Sequence, residues 1–128
     1  MSQRGASTAV FVYGTLLQGE GNHDLLRHAE FLGPGRTPPR FALHDLGGFP
    51  GLVAGGEHAV EGEVYFVGPD TLARLDLLEG HPRFYRRAPI ALEDGTPVET
   101  YLLPRDRVVG RPVISSGSWR TRRRERVA

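Results

Sequence analysis

Cysteine and lysine are both missing from this chain of 128 residues. Without cysteine there is no disulfide framework, no thiolate metal site and no cysteine nucleophile. Without lysine there is no Schiff-base amine and no ammonium clamp for phosphate; all 16 basic residues are arginine. Long apolar runs are lacking too, since nothing approaches the roughly 18 residues that cross a bilayer. The opening Met1-Ser2-Gln3-Arg4-Gly5-Ala6-Ser7-Thr8 is polar, and Ala9 to Tyr13 is too short for a secretory apolar segment. These absences lead us to expect a cytoplasmic protein with no membrane partner.

What is present fits one domain. Gly 17 and Pro 10 are high for the length and favour turns and short strands, while a hydrophobic share of 39% suffices for one core. Residues 1–8 read as a disordered leader, 9–119 as the domain and 120–128 as a basic tail. Five arginines (Arg120, Arg122, Arg123, Arg124, Arg126) fall in that tail, behind a net charge of only +1.

The pattern predicts strands over Ala9–Tyr13, Phe41–His44, Leu52–Ala54, Ala59–Val67, Phe84–Leu92 and Pro97–Leu103. In the fourth, Val60, Gly62, Val64 and Phe66 alternate with Glu61, Glu63 and Tyr65. A short helix from an Asn22 N-cap to about Ala29 is expected to break at Phe31-Leu32-Gly33-Pro34-Gly35. A clearer helix opens at Pro69 and ends near Glu79, with Gly80 beyond it and Pro82 blocking continuation. Glu93-Asp94-Gly95-Thr96 is a hairpin turn. The expected architecture is α+β: a small mixed β-barrel with short flanking helices.

Two features carry chemistry. The apolar run Val10-Phe11-Val12-Tyr13 ends in Gly14-Thr15-Leu16, a turn whose backbone N–H groups could form an oxyanion or carboxylate cradle. An ordinary strand-to-loop turn is the bland alternative. Further on, Leu72, Leu75 and Glu79 share one helix face, so Glu79 prolongs a leucine stripe at the negative end of the helix dipole. Burial and dipole both raise a carboxyl pKa, toward a proton shuttle at neutral pH. Against this stands a frayed, solvated Glu79 paired with Arg83 or His81. Asp76 is a rival carboxylate, expected on the flank of the helix and paired with an arginine.

In order along the chain, these motifs resemble the γ-glutamylcyclotransferase-like family, which includes γ-glutamylamine cyclotransferases and plant AIG2-like proteins. The matching segments are Val10 to Leu16, then Gly19, Asn22 and Leu25-Leu26, then Val60-Glu61-Gly62-Glu63-Val64-Tyr65. Leu75 to Pro82, Tyr85-Arg86-Arg87 and Val98-Glu99-Thr100-Tyr101 complete them. The resemblance runs from about residue 9 to 119. It implies that amides of the Tyr13-Gly14-Thr15-Leu16 turn hold a γ-glutamyl group and that Glu79 is the catalytic proton shuttle. The implied reaction is attack of the γ-glutamyl α-amine on its own γ-carbonyl, giving 5-oxoproline and a free amine or amino acid. The spelling of the turn looks closer to the γ-glutamylamine branch, and neither cofactor nor metal is implied. The competing reading is a catalytically silent small-molecule binding domain of the same fold.

Other residues have weaker patterns. Tyr85 is a candidate pocket wall or a core side chain. Arg86 or Arg87 could hold a substrate carboxylate, with a solvated role preferred for each. Phe49 and Pro50 are candidates for the pocket mouth, and Trp119 for sealing the core. His23, His28, His44, His58 and His81 lack metal-ligand spacing. The arginine tail reads as a solubilising segment rather than a nucleic-acid surface, because no aromatic beyond Trp119 accompanies it.

Overall fold

A computed structural model describes residues 7–122, so most of the expected leader and Arg123, Arg124 and Arg126 of the tail lie outside the described residues. Among the described residues, seven strands and one α-helix, with three short 3-10 turns, make up the regular structure: β1 (Thr8–Val12), β2 (Glu30–Arg36), β3 (Phe41–Asp45), β4 (Pro50–Ala54), β5 (Glu61–Val67), α1 (Pro69–Glu79), β6 (Arg86–Ala91) and β7 (Pro97–Leu102). β1 begins at Thr8, one residue before its expected start.

The main sheet has the order β2-β5-β1-β7-β6, and β3 and β4 form a separate hairpin. β1 sits in the middle, antiparallel to β5 and parallel to β7. Both of its faces are also covered, since the successive residues Val10 and Phe11 are fully buried and Val12 nearly so. A continuous apolar run is what such a strand requires.

The α+β class is observed, but the sheet does not close into the expected barrel. Its outer strands, β2 and β6, are joined by one backbone hydrogen bond at their ends, Glu93 N–H to Arg36 O at 2.8 Å. Both carry a proline, Pro34 and Pro89, and proline cannot donate to a ladder. The β3–β4 hairpin meets β7 through Leu103 N–H to Leu52 O, 2.9 Å.

Three local expectations change. The stretch from Asn22 forms a single 3-10 turn, His23–Leu26, and Asn22 makes no side-chain capping hydrogen bond; its Nδ2 donates to Thr15 Oγ1 instead. Phe31 to Gly35, expected as a helix break, lies within β2, with a bulge between Phe31 and Gly33 where Gly33 takes a φ of 130°. In β5 the simple alternation fails: Glu63 and Tyr65 are buried, with His23 and Phe31 packed on Tyr65 and Gln18 and Arg120 on Glu63. Glu63 is satisfied there by Gln18 N–H, the Tyr65 hydroxyl and Arg120.

α1 follows the sequence closely. Pro69 opens it and Gly80, in the left-handed conformation at φ 68°, closes it. Leu75 is fully buried and Leu72 packs against the core, so the leucine stripe faces inward as expected.

The C-terminal end of the described chain is docked. Trp119 is 1% exposed and its indole N–H donates to Glu20, while Arg120 reaches Gln18 O and Glu63. The Arg122 guanidinium lies over the Trp119 ring, 3.4 Å from its centroid. Trp119→Ala should destabilise the protein by about 3–5 kcal/mol in denaturant unfolding; a loss below about 1 kcal/mol would show that this segment is dispensable.

Candidate active site

The turn after β1 is held by its carbonyls. Gly14 O accepts from Leu17 N–H (3.1 Å), Thr15 O from Asn22 N–H (2.9 Å) and Leu16 O from the His23 ring Nδ1 (2.9 Å). The Asn22 side-chain amide adds a bond to Thr15 Oγ1 at 3.0 Å. The N–H groups of Gly14, Thr15 and Leu16, by contrast, have no acceptor among the described residues. A turn fixed through its oxygens and free at its nitrogens is a ready anion cradle.

Glycine at position 14 answers a packing demand. A Cβ there would stand 2.5 Å from Pro50 Cγ and 2.7 Å from Pro50 Cδ. Pro50 opens β4, so this contact seats the β3–β4 hairpin against the turn. The Tyr85 hydroxyl donates to Pro50 O and fixes the same loop from the other side.

Turn, hairpin and the end of α1 enclose a cavity of about 310 Å³. Tyr13, Gly14, Thr15, Leu16, Glu79 and Tyr85, all singled out from the sequence, line it together. So do Phe49 and Pro50. The sequence reading missed Leu78, Phe84 and Tyr101 and the structural use of Asn22. Tyr101 stood inside a quoted motif, but nothing in its alternation distinguished a cavity wall from a core side chain.

Among the described residues, Glu79 is the only ionisable carboxyl that lines this cavity. Burial raises it from the ordinary 4.5 to about 7. No hydrogen bond or ion pair engages it among the described residues, so the expected alternative pairing with Arg83 or His81 is not formed. Its backbone carbonyl, however, accepts from Tyr85 N–H at 3.2 Å, which ties the helix end to the β6 approach.

Asp76, three positions earlier, is perturbed in the opposite direction. Burial would push it up, but hydrogen bonds from Arg87 and Tyr101 prevail and hold it below its usual value. Arg87 grips both Asp76 oxygens, at 2.8 and 3.1 Å, and also reaches Glu99 at 2.8 Å. This corrects the solvated role expected for Arg87, which is engaged by two carboxylates; Arg86 is exposed, and neither lines the cavity. Tyr101 donates to Asp76 at 2.7 Å, and Tyr13 donates to Tyr101 O at 2.6 Å. Tyr85 and Tyr101 are both pushed well above the ordinary phenol value, first by burial. They remain neutral.

Two neighbouring carboxyls with divergent pKa values are a common sign of acid–base work. The arrangement offers a dry carboxyl for proton transfer and a set of free amides for a negative oxygen.

The family described as "Gamma-glutamyl cyclotransferase, AIG2-like" matches residues 10–121. A Vibrio cholerae protein named "Putative gamma-glutamylcyclotransferase" is 47% identical over 86% of this chain and 93% of its own length. The "Gamma-glutamylcyclotransferase family protein YtfP" of Escherichia coli K12 is 36% identical over 86% of this chain and 94% of its own. Among solved structures, an AIG2-like protein from Mus musculus superposes with a TM-score of 0.72 at 31% identity, covering 84% of this chain and 85% of that one. The chain belongs to the AIG2-like γ-glutamylcyclotransferase family.

The raised Glu79 pKa has a consequence for stability. Because the folded value lies above the unfolded one, the stabilising contribution is complete below about pH 4.5 and is lost as pH rises through about 7. The loss is on the order of 3 kcal/mol. Glu79→Gln is uncharged at every pH and escapes it. The variant should melt above the wild type at pH 8 and level with it near pH 4.5; a constant offset across that range would contradict a dehydrated Glu79.

Proposed function

We propose that the protein is an enzyme that cyclises γ-glutamyl amides, releasing 5-oxoproline and an amine. The observation that carries this reading is the pairing, in one cavity, of an unpartnered carboxyl raised to about 7 with the unpaired N–H groups of Gly14, Thr15 and Leu16. A binding domain without catalysis has no use for an unpaired buried carboxyl, which costs stability (see above).

In this reading the γ-glutamyl group lies folded in the cavity, with its α-amine against its γ-carbonyl. Ionised Glu79 takes a proton from the α-amine, whose nitrogen then bonds to the γ-carbon. The carbonyl oxygen becomes an oxyanion held by amides of the turn, where each such donor is worth on the order of 100–1,000-fold in rate. Collapse breaks the bond to the leaving nitrogen, which receives the proton back from Glu79. Atoms balance without water, because the ring nitrogen replaces the departing one. Proximity within the folded substrate supplies much of the acceleration.

Within the family, we read the substrate as a γ-glutamyl amine. In support, no arginine, lysine or histidine lines the cavity among the described residues, so a second carboxylate on the leaving group has no partner there. Arg87, the nearest candidate from the sequence, is occupied by Asp76 and Glu99.

Incubation with a panel of γ-glutamyl amines and dipeptides should release 5-oxoproline, with kcat/KM falling as pH drops below about 7, where Glu79 is protonated. Glu79→Gln should lose roughly 100–10,000-fold in kcat. No release from any substrate, or undiminished release in the variant, would overturn the assignment.

A further inference from the structure

The cavity has two chemically distinct halves. One is the polar half, made of the free amides of the turn and Glu79. The other is apolar: Phe49, Pro50, Leu78 and Phe84. The lining residues also differ in exposure. Tyr13, Leu16 and Tyr101 are buried to 7% or less, whereas Phe49 is 37% and Leu78 42% exposed. The apolar half therefore forms the mouth, and the polar half the floor.

The mouth is built as an aromatic wall. Phe49 meets Phe84 edge-on at 6.2 Å, and Phe84 meets Tyr85 edge-on at 5.0 Å, so the Phe49 ring, just before β4, is braced through Phe84 to Tyr85. Beyond it, the Arg107 guanidinium lies 5.0 Å from the Phe84 centroid and donates to Arg83 O. The polar groups nearby are spent: Tyr13, Tyr85 and Tyr101 hydroxyls all donate to protein acceptors, and Asp76 is held by Arg87 and Tyr101. Among the described residues, no carboxylate other than Glu79 lines the cavity.

We propose that the wall of Phe49, Leu78 and Phe84 is the leaving-group subsite, and that it selects γ-glutamyl amides of uncharged apolar or aromatic amines over those of cationic amines. This rests on the reading of the floor as the γ-glutamyl site. An apolar tail leaving that floor gains contact with the three side chains and displaces water from them. A terminal ammonium in the same place loses hydration and finds no counter-charge among the three wall residues.

The test separates the wall from the chemistry. Calorimetry on Glu79→Gln, with γ-glutamyl-n-pentylamide and its 5-aminopentyl analogue, reads binding without turnover. The neutral ligand should bind at least about tenfold more tightly, since a single methylene in an apolar pocket already carries roughly that discrimination. Phe49→Ala and Leu78→Ala, each added to Glu79→Gln, should shrink this preference about tenfold and threefold. Equal binding of the two ligands, a preference untouched by both added substitutions, or no binding by either ligand would overturn the proposal. Failure of the cyclisation reading appears separately, as absence of 5-oxoproline from wild-type enzyme on every substrate.

Discussion

A carboxyl withdrawn from water and given no partner is the constraint around which this molecule is arranged. The hydroxyls nearest in effect to Glu79 are those of Tyr13, Tyr85 and Tyr101, each of which feels its charge and could donate to it. The structure prevents it by occupying them. Arg87 is divided between Asp76 and Glu99, Tyr101 donates to Asp76, Tyr85 to Pro50 O and Tyr13 to Tyr101 O. Asp76 thus does more than stabilise a helix flank. By accepting from Tyr101, it keeps that phenol from Glu79. The cost of that isolation is borne by the leucine stripe and the core beneath α1, where Leu75 is fully buried.

The same economy of partners shapes the turn. Its carbonyls are satisfied by Leu17, Asn22 and His23, so the segment is rigid before any ligand arrives. Its N–H groups are left over. Gly14 allows Pro50 to close on the turn, and Tyr85 holds Pro50 in place, so cradle and acid are positioned by one set of contacts. Preorganised donors of this kind need no rearrangement when charge develops on a substrate oxygen.

Much of this was legible in the sequence. The bounds of α1 followed from Pro69 and Gly80, and the inward face of Glu79 followed from Leu72 and Leu75, because helix periodicity and capping are local. The hairpin at Asp94-Gly95 was legible for the same reason. Non-local matters were not. Asn22 looked like a helix cap because its residue type suits one, yet Thr15 across the loop claims its amide. Arg87 looked solvated because its partners sit on α1 and β7, far away in sequence. β5 looked half-exposed because alternating glutamates suggested a wet face, whereas Glu63 is buried among Gln18, Tyr65 and Arg120. That the sheet stays open was not legible, because it depends on which strands come to lie at the edges, here β2 and β6.

The central claim, that Glu79 is dry and unpaired, is tested most directly by titrating its side-chain carboxyl carbon by NMR in selectively 13C-labelled protein, with Glu79→Gln assigning the signal. The account predicts a midpoint near pH 7. A midpoint near the ordinary 4.5 would mean that water or a partner reaches the carboxyl, and would contradict it.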